Sequence, residues 1–124
     1  MAKEKEECIF CKIARKEIPA EIVYESENFI AFPDVNPKTK GHTLIIPKKH
    51  YENLVEMPDI LGNELIETIK KVAEIRFKQG ADGFNIVVNT GEAAGQIVMH
   101  AHIHILPRKK KEKIQFPCDT ENNV

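Results

Sequence analysis

At 124 residues the chain makes one domain, large enough to bury a core without disulfide support. Apolar content of 42%, charged content of 30% and a formal net charge of −1 are those of an ordinary globular protein, and exclude a global field that would recruit nucleic acid or a membrane surface. No apolar run has the length of a signal peptide or approaches the ~20 residues of a membrane span, so the expected compartment is the cytoplasm.

Residues 1–7 read as a frayed, charged end. Cys8 to Arg15 can form a short helical turn, because Ile9 and Ile13 share a face at i, i+4. "IVYE" (Ile22 to Glu25) and "NFIAF" (Asn28 to Phe32) read as strands, and the short turn between them implies an antiparallel hairpin. "PDVNPKTKGH" is loop, broken by two prolines and a glycine. "HTLIIP" (His42 to Pro47) is a third strand.

The one long helix starts near Pro58 and Asp59 and ends at Gly80. Ile60, Leu61, Leu65, Ile66, Ile69, Val72, Ala73 and Phe77 form its apolar stripe, and Gly62 weakens its first turn. "FNIVVNT" (Phe84 to Thr90) and "VMHAHIHILP" (Val98 to Pro107) are the fourth and fifth strands, joined by the small-residue loop "GEAAGQ". The fold class expected is α+β: a five-stranded, largely antiparallel sheet with one long helix and a short N-terminal helix. The domain core spans about residues 8–108, with a short charged tail at each end. The basic run Arg108 to Lys111 reads as a solvated strand end.

Three of the five histidines stand at every second position: His100, His102 and His104. On a strand they share one face, while Ala101, Ile103 and Ile105 share the other. Such a face can be solvated surface, a three-histidine metal site, or a nucleophilic site. A neutral imidazole attacks well near pH 7, provided the attacking nitrogen is bare and the other holds the proton. Phosphorus is the natural target, since phosphoramidate intermediates hydrolyse readily. The preceding "NTGEAAGQ" would let backbone N–H groups approach a phosphate, and Asn89 adds a polar side chain. The "CIFC" pair, Cys8 and Cys11, points to metal or redox chemistry in a reducing compartment.

These residues resemble the histidine triad nucleotide-binding and hydrolase family. "HAHIHIL" matches the His-apolar-His-apolar-His-apolar-apolar pattern, "VVNTGEAAGQ" looks like the family's phosphate loop, and the likeness runs from about Cys8 to Arg108. The resemblance implies a purine nucleotide hydrolase or nucleotidyl transferase acting on a nucleoside phosphoramidate or dinucleoside polyphosphate. His102 would be the nucleophile, its other nitrogen held by a backbone carbonyl, with His104 and His42 in support. Asn89 and the backbone of Gly95, Gln96 and Ile97 would contact the phosphate, and Asp34 the ribose hydroxyls. Ile9, Phe10, Ile18, Phe32 and Val35 would form the purine slot, with plain core as the other reading of Ile18.

A redox role for "CIFC" wants a preceding strand, a following long helix and usually Gly-Pro between the cysteines, none of which is obvious. A zinc site wants two further ligands, for which His50 and His100 are available, and the resemblance to zinc-carrying members supports a closed structural site. Cys118 reads as an ordinary free thiol. A homodimer with joined sheets is implied by resemblance alone. Ile97 stands where some branches carry Ser or Thr, so a hydroxyl that would help the leaving group is absent. That departure motivates the alternative of a nucleotide-binding or interaction module with vestigial hydrolysis.

Overall fold

The computed structural model describes residues 7–112. The expectations for residues 1–6 and for Cys118 lie outside them. Among the described residues no helix is long and apolar enough to cross a membrane.

The chain opens with α1 (Ile9–Ala14), whose N-cap is Cys8: its Sγ accepts the Cys11 N–H at 3.4 Å. Then come β1 (Tyr24–Glu25), β2 (Phe29–Pro33) and β3 (Thr43–Pro47), followed by α2 (Gly62–Lys78), β4 (Gly83–Val87) and β5 (Ile103–Arg108). The five strands form one antiparallel sheet in the order β1-β2-β3-β5-β4, so β5 is inserted between β3 and β4. The fold is the expected α+β arrangement.

β2 and β3 are near-continuous apolar runs because both their faces are covered. On one face Phe10 and Ile13 of α1 pack with Ile30, Phe32, Leu44 and Ile46. On the other Val72 of α2 packs with Phe29, Ala31, Ile45, Ile103 and Ile105. Alternation along each strand therefore sorts every residue to the α1 side or the α2 side. Glu64, in the first turn of α2, fixes the β1–β2 hairpin. Its carboxylate accepts the Ser26 hydroxyl at 2.6 Å, the Asn28 N–H at 2.7 Å and the Asn28 side-chain amide at 2.8 Å.

Several boundaries differ from the sequence reading. β1 is two residues long, β3 begins one residue after His42, and β4 ends at Val87 instead of Thr90. The fifth strand starts only at Ile103. The main chain before it bonds elsewhere: the His100 N–H donates to the Val98 carbonyl at 2.9 Å and the Ala101 N–H to the Tyr51 carbonyl at 2.7 Å. The long helix starts at Gly62, after a 3₁₀ turn at Asp59–Leu61. Its apolar stripe is wider than the surface it buries: Ile60, Ile66 and Phe77 are 86%, 53% and 45% exposed.

Candidate active site

The strand registers set out the site. Phe32 pairs with Leu44, Leu44 with His104 and Val87 with His104, which makes one cross-strand row on the α1 side. At one end of β3, the Asp34 N–H donates to the His42 carbonyl at 3.0 Å, placing Asp34 beside His42. The β4–β5 ladder closes at Val87 and His104, so Asn89 and His102 each lie two residues past that pair. Asp34, His42, Asn89, His102 and His104 are all buried.

His102 is held by its own chain. Its Nδ1 lies 2.7 Å from the His100 carbonyl oxygen, an atom that can only accept, so Nδ1 carries the proton and Nε2 is bare. That Nε2 is buried and has no hydrogen-bond partner, and the same holds for Nδ2 of Asn89. Buried polar atoms are ordinarily satisfied, so two such atoms on one face point to a ligand that completes them. Phe10 stands edge-on against the His102 ring at 5.2 Å and against Phe32 at 5.7 Å.

His42 and His104 form an ordered pair. The Lys38 N–H donates to Nδ1 of His42 at 3.0 Å, so that nitrogen accepts and the neutral ring keeps its proton on Nε2. This Nε2–H faces Nδ1 of His104 at 3.0 Å, with an Asp34 carboxylate oxygen at 3.4 Å. His104 then carries its own proton on Nε2. Burial pushes the proton affinity of His42 below the ordinary histidine value; Asp34 opposes this, and Lys38 and Arg108 add to it.

The loop before the fifth strand is braced from within. Gly91 (φ 90°) and Gly95 (φ 96°) flank a 3₁₀ turn at Glu92–Ala94. The Gln96 side chain accepts the Gly91 N–H at 2.8 Å and donates to the carbonyls of Glu52 and Val98 at 2.6 and 3.0 Å. The backbone N–H groups of Gly95 and Gln96 donate to Glu92 and Gly91. Both residues thus shape the loop, while the Ile97 N–H takes no part in these bonds. A Cβ placed on Gly95 would stand 3.8 Å from Nδ2 of Asn89, so this turn lies directly against the asparagine.

The expected purine slot is only partly assembled as packing. Phe10, Phe32 and Ile18 share the α1-side cluster, whereas Ile9 and Val35 are 49% and 89% exposed.

The fourth histidine of the set does different work. Nδ1 of His100 lies 3.3 Å from Sγ of Cys8, 3.5 Å from Sγ of Cys11 and 3.2 Å from Nδ1 of His50, which is itself 3.4 Å from Sγ of Cys11. Zinc bonds of about 2.3 Å to sulfur and about 2.0–2.1 Å to nitrogen, arranged tetrahedrally, set S···N near ~3.6 Å and N···N near ~3.3 Å. The donor set fits. Nε2 of His100 donates to the Pro47 carbonyl at 2.8 Å, leaving Nδ1 with the lone pair that faces the cysteines. Burial holds the His100 pKa at about 4, against the upward pull of that carbonyl. These four residues could hold a metal ion.

A three-histidine metal site is not what the rings form. Nδ1 of His100 faces the cysteines, Nδ1 of His102 a carbonyl and Nδ1 of His104 the His42 ring. Asp34, His42 and His104 also approach one another closely, but the atom of His42 that they share is an N–H donor and offers no lone pair. The resemblance implied a backbone carbonyl for His102, and it is that of His100; the main-chain partners at Lys38 and Pro47 were invisible in the sequence, since a carbonyl or amide has no residue signature.

A family model described as the HIT domain matches residues 15–111. An uncharacterized HIT-like protein of Methanocaldococcus jannaschii is 56% identical over 101 residues, covering 82% of this chain and 78% of that protein. The adenylylsulfatase HINT3 of Arabidopsis thaliana is 42% identical over 107 residues, covering 86% of this chain and 54% of that protein. Among solved structures, a Zn-bound histidine triad family protein from Mycobacterium smegmatis matches with a TM-score of 0.83 at 38% identity, over 89% of this chain and 81% of that one. With the family model matching residues 15–111 of 124, the chain belongs to the HIT domain family.

Proposed function

We propose that this protein is a purine nucleotide hydrolase or nucleotidyl transferase that works through a covalent nucleotidyl-histidine on His102. The observation that carries the reading is the buried, bare Nε2 of His102, fixed by the 2.7 Å contact between Nδ1 and the His100 carbonyl. Membership of the HIT domain family and likeness to an adenylylsulfatase support it.

In the first step Nε2 of His102 bonds to the phosphorus of a nucleoside 5′-phosphoryl group. The bond from phosphorus to the leaving group breaks, and that group, an amine or a second nucleotide, departs with the electron pair and takes a proton from solvent. In the second step water bonds to phosphorus, the P–N bond breaks and the nucleoside monophosphate leaves. Charge developing on the phosphoryl oxygens is met by the Nε2–H of His104, Nδ2 of Asn89 and the Ile97 N–H. Asp34 receives the ribose hydroxyls, and the base lies among Ile9, Phe10, Phe32, Val35 and Ile18. Cys8, Cys11, His50 and His100 would hold a structural zinc, which when bound would tie the N-terminal turn to the segments that frame the site. The protein pairs as a homodimer across β4, one of the two outer strands of the sheet, where Ile86 is 48% exposed.

The test is His102→Asn assayed on adenosine phosphoramidate and diadenosine polyphosphates, with acid-quenched wild-type enzyme examined for adenylylated His102. Turnover should vanish while AMP binding survives; undiminished turnover sinks the assignment. One observation favours binding without turnover: Ile97, beside the reacting centre, is 61% exposed and carries no hydroxyl. Tight AMP binding with neither substrate class cleaved would decide for that reading.

A further inference from the structure

Thr43 opens β3 directly after His42, and the two side chains point to opposite faces of the sheet. His42 enters the site above. Thr43 turns to the α2 side and bonds Arg76, which with Lys40, Gly41, Pro107, Arg108 and Lys109 lines a cavity of about 310 Å³. Four cations thus surround one concavity, in a chain whose formal net charge is −1. Glu112 is the one carboxylate on its wall, 4.0 Å from an Arg108 nitrogen. The basic run that the sequence presented as a solvated strand end is therefore folded inward at Arg108, whose side chain is 15% exposed.

Arg76 is set in this cavity with unusual care for a residue near the end of a helix. Its Nε and Nη2 both donate to Oγ1 of Thr43, at 3.1 and 2.8 Å, and its Nη1 donates to Oε1 of Gln79 at 2.7 Å. The Thr43 hydroxyl in turn donates to the Gly41 carbonyl at 2.7 Å, so its acceptor lone pairs are aimed at the guanidinium. All of these acceptors are neutral. Among the described residues no carboxylate forms an ion pair with Arg76. A guanidinium has five N–H donors, so the fork retains donors beyond those three bonds. Gly41 makes the approach possible: at φ +87°, a Cβ there would stand 3.3 Å from Cδ of Arg76 and 3.3 Å from Cγ of Pro107.

A rigid fork bonded only to neutral acceptors, with Glu21 acting on it from beyond ion-pair distance and three more cations around a cavity of small-ligand size, matches the chemistry of phosphate recognition. We propose that this cavity is a second ligand site, which binds the phosphate group of a small molecule, free or as an ester, on the face of the sheet opposite the histidines.

The experiment is a titration of the intact protein with inorganic phosphate, glycerol phosphate and inorganic pyrophosphate at constant ionic strength. Backbone amide resonances are followed with and without saturating AMP. Saturable shifts at Gly41, Thr43, Gln79 and Ala81 with at least one of the three anions, persisting in the presence of AMP, are expected. Arg76→Gln should weaken the binding at least tenfold. Lys40→Ala, at an exposed position that folding does not need, should weaken it at least threefold. Shifts confined to Gly91–Ile97 and abolished by AMP would overturn the proposal, because phosphate would then read only the histidine site. Shifts that do not saturate, or that neither substitution changes, would overturn it as well. Failure of the nucleotide reading would show separately, as absence of any AMP response at Gly91–Ile97.

Discussion

The carbonyl of His100 lies 2.7 Å from Nδ1 of His102, while the His100 ring points at Cys8 and Cys11. One residue therefore touches two clusters, its main chain holding the His102 ring and its side chain joining Cys8, Cys11 and His50 in a set that could hold a metal ion. Cys11→Ser is expected to strip bound zinc, to lower the melting temperature by about 10–20 °C, corresponding to a few kcal/mol, and to reduce kcat roughly tenfold through the loosened carbonyl. His102→Asn should leave zinc content and melting temperature unchanged. Metal analysis, thermal denaturation and turnover on the same preparations separate the two effects; a Cys11 variant with full zinc and full stability would contradict the ligand set.

The His42–His104 contact makes a sharper prediction about atoms. What His104 needs from its neighbour is an N–H at the place of Nε2. His42→Ala should lower kcat by roughly 10²-fold with little change in AMP affinity. His42→Gln, which can set an amide N–H near that place, should restore a substantial part. Equal losses in both variants would mean that the imidazole ring, and not its donor, is what matters.

Acid should weaken the metal-free protein in a window that the histidines define. An unfolded histidine titrates near about 6.5, whereas His100 in the fold is held at about 4 and His42 is also lowered. Between those values the unfolded chain binds more protons than the folded one. The stabilisation is complete above about pH 6.5 and is lost as pH falls toward 4, with His100 accounting for something on the order of 3 kcal/mol. Denaturant midpoints of chelator-treated protein should fall steadily from pH 7 to pH 4.5, before the lowered carboxylates of Glu25 and Glu64 begin to titrate. A flat profile over that range would show that the rings are not desolvated as described.

Glu64 joins α2 to the hairpin through three hydrogen bonds, and its position is partly open to water. Glu64→Ala should therefore cost about 1–2 kcal/mol, less than a fully buried charged anchor would. Urea unfolding measures the loss. Burial raises the Glu64 pKa, but the bonds from Ser26 and Asn28 outweigh it and bring it below the ordinary value. The stabilisation from this group should be present at neutral pH and disappear as the carboxylate protonates.

Ile97→Ser tests whether the absent hydroxyl limits turnover. It should raise kcat on phosphoramidates about tenfold and leave AMP affinity within twofold, since the main chain there is unchanged. Turnover that stays undetectable in both proteins would favour the binding module.

How much of this could be read from the chain depends on what kind of atom carries each feature. β2 and β3 were legible because unbroken apolar runs such as "FIAF" and "TLII" have few other uses. The sorting of His102 and His104 from Ile103 and Ile105 followed from strand alternation and survives, even though regular pairing begins only at Ile103. The segment Val98–His102 read as strand because its pattern alternates; its hydrogen bonds go instead to Tyr51 and within the segment, and no pattern of side chains encodes that choice. Ile60, Ile66 and Phe77 misled for a related reason: helical spacing reveals which residues share a stripe, not how much of the stripe is covered. The expectation for Gln96 concerned its main chain; its side chain braces the loop, a role that a lone glutamine does not announce. Nothing local linked Arg76 to Thr43 or to Arg108, because those contacts cross the fold.

The Cys8–Cys11–His50–His100 cluster also bears on the order in which the molecule is built. α1 is six residues long, too short to persist as a helix in water by itself. Its anchors lie 39 residues away at His50 and 92 residues away from Cys8 at His100. Phe10 and Ile13 can pack on β2 and β3 once those strands exist, but the four-residue cluster is complete only when His100, close to the last strand, has been made. Until then Cys8 and Cys11 have His50 as their one histidine neighbour.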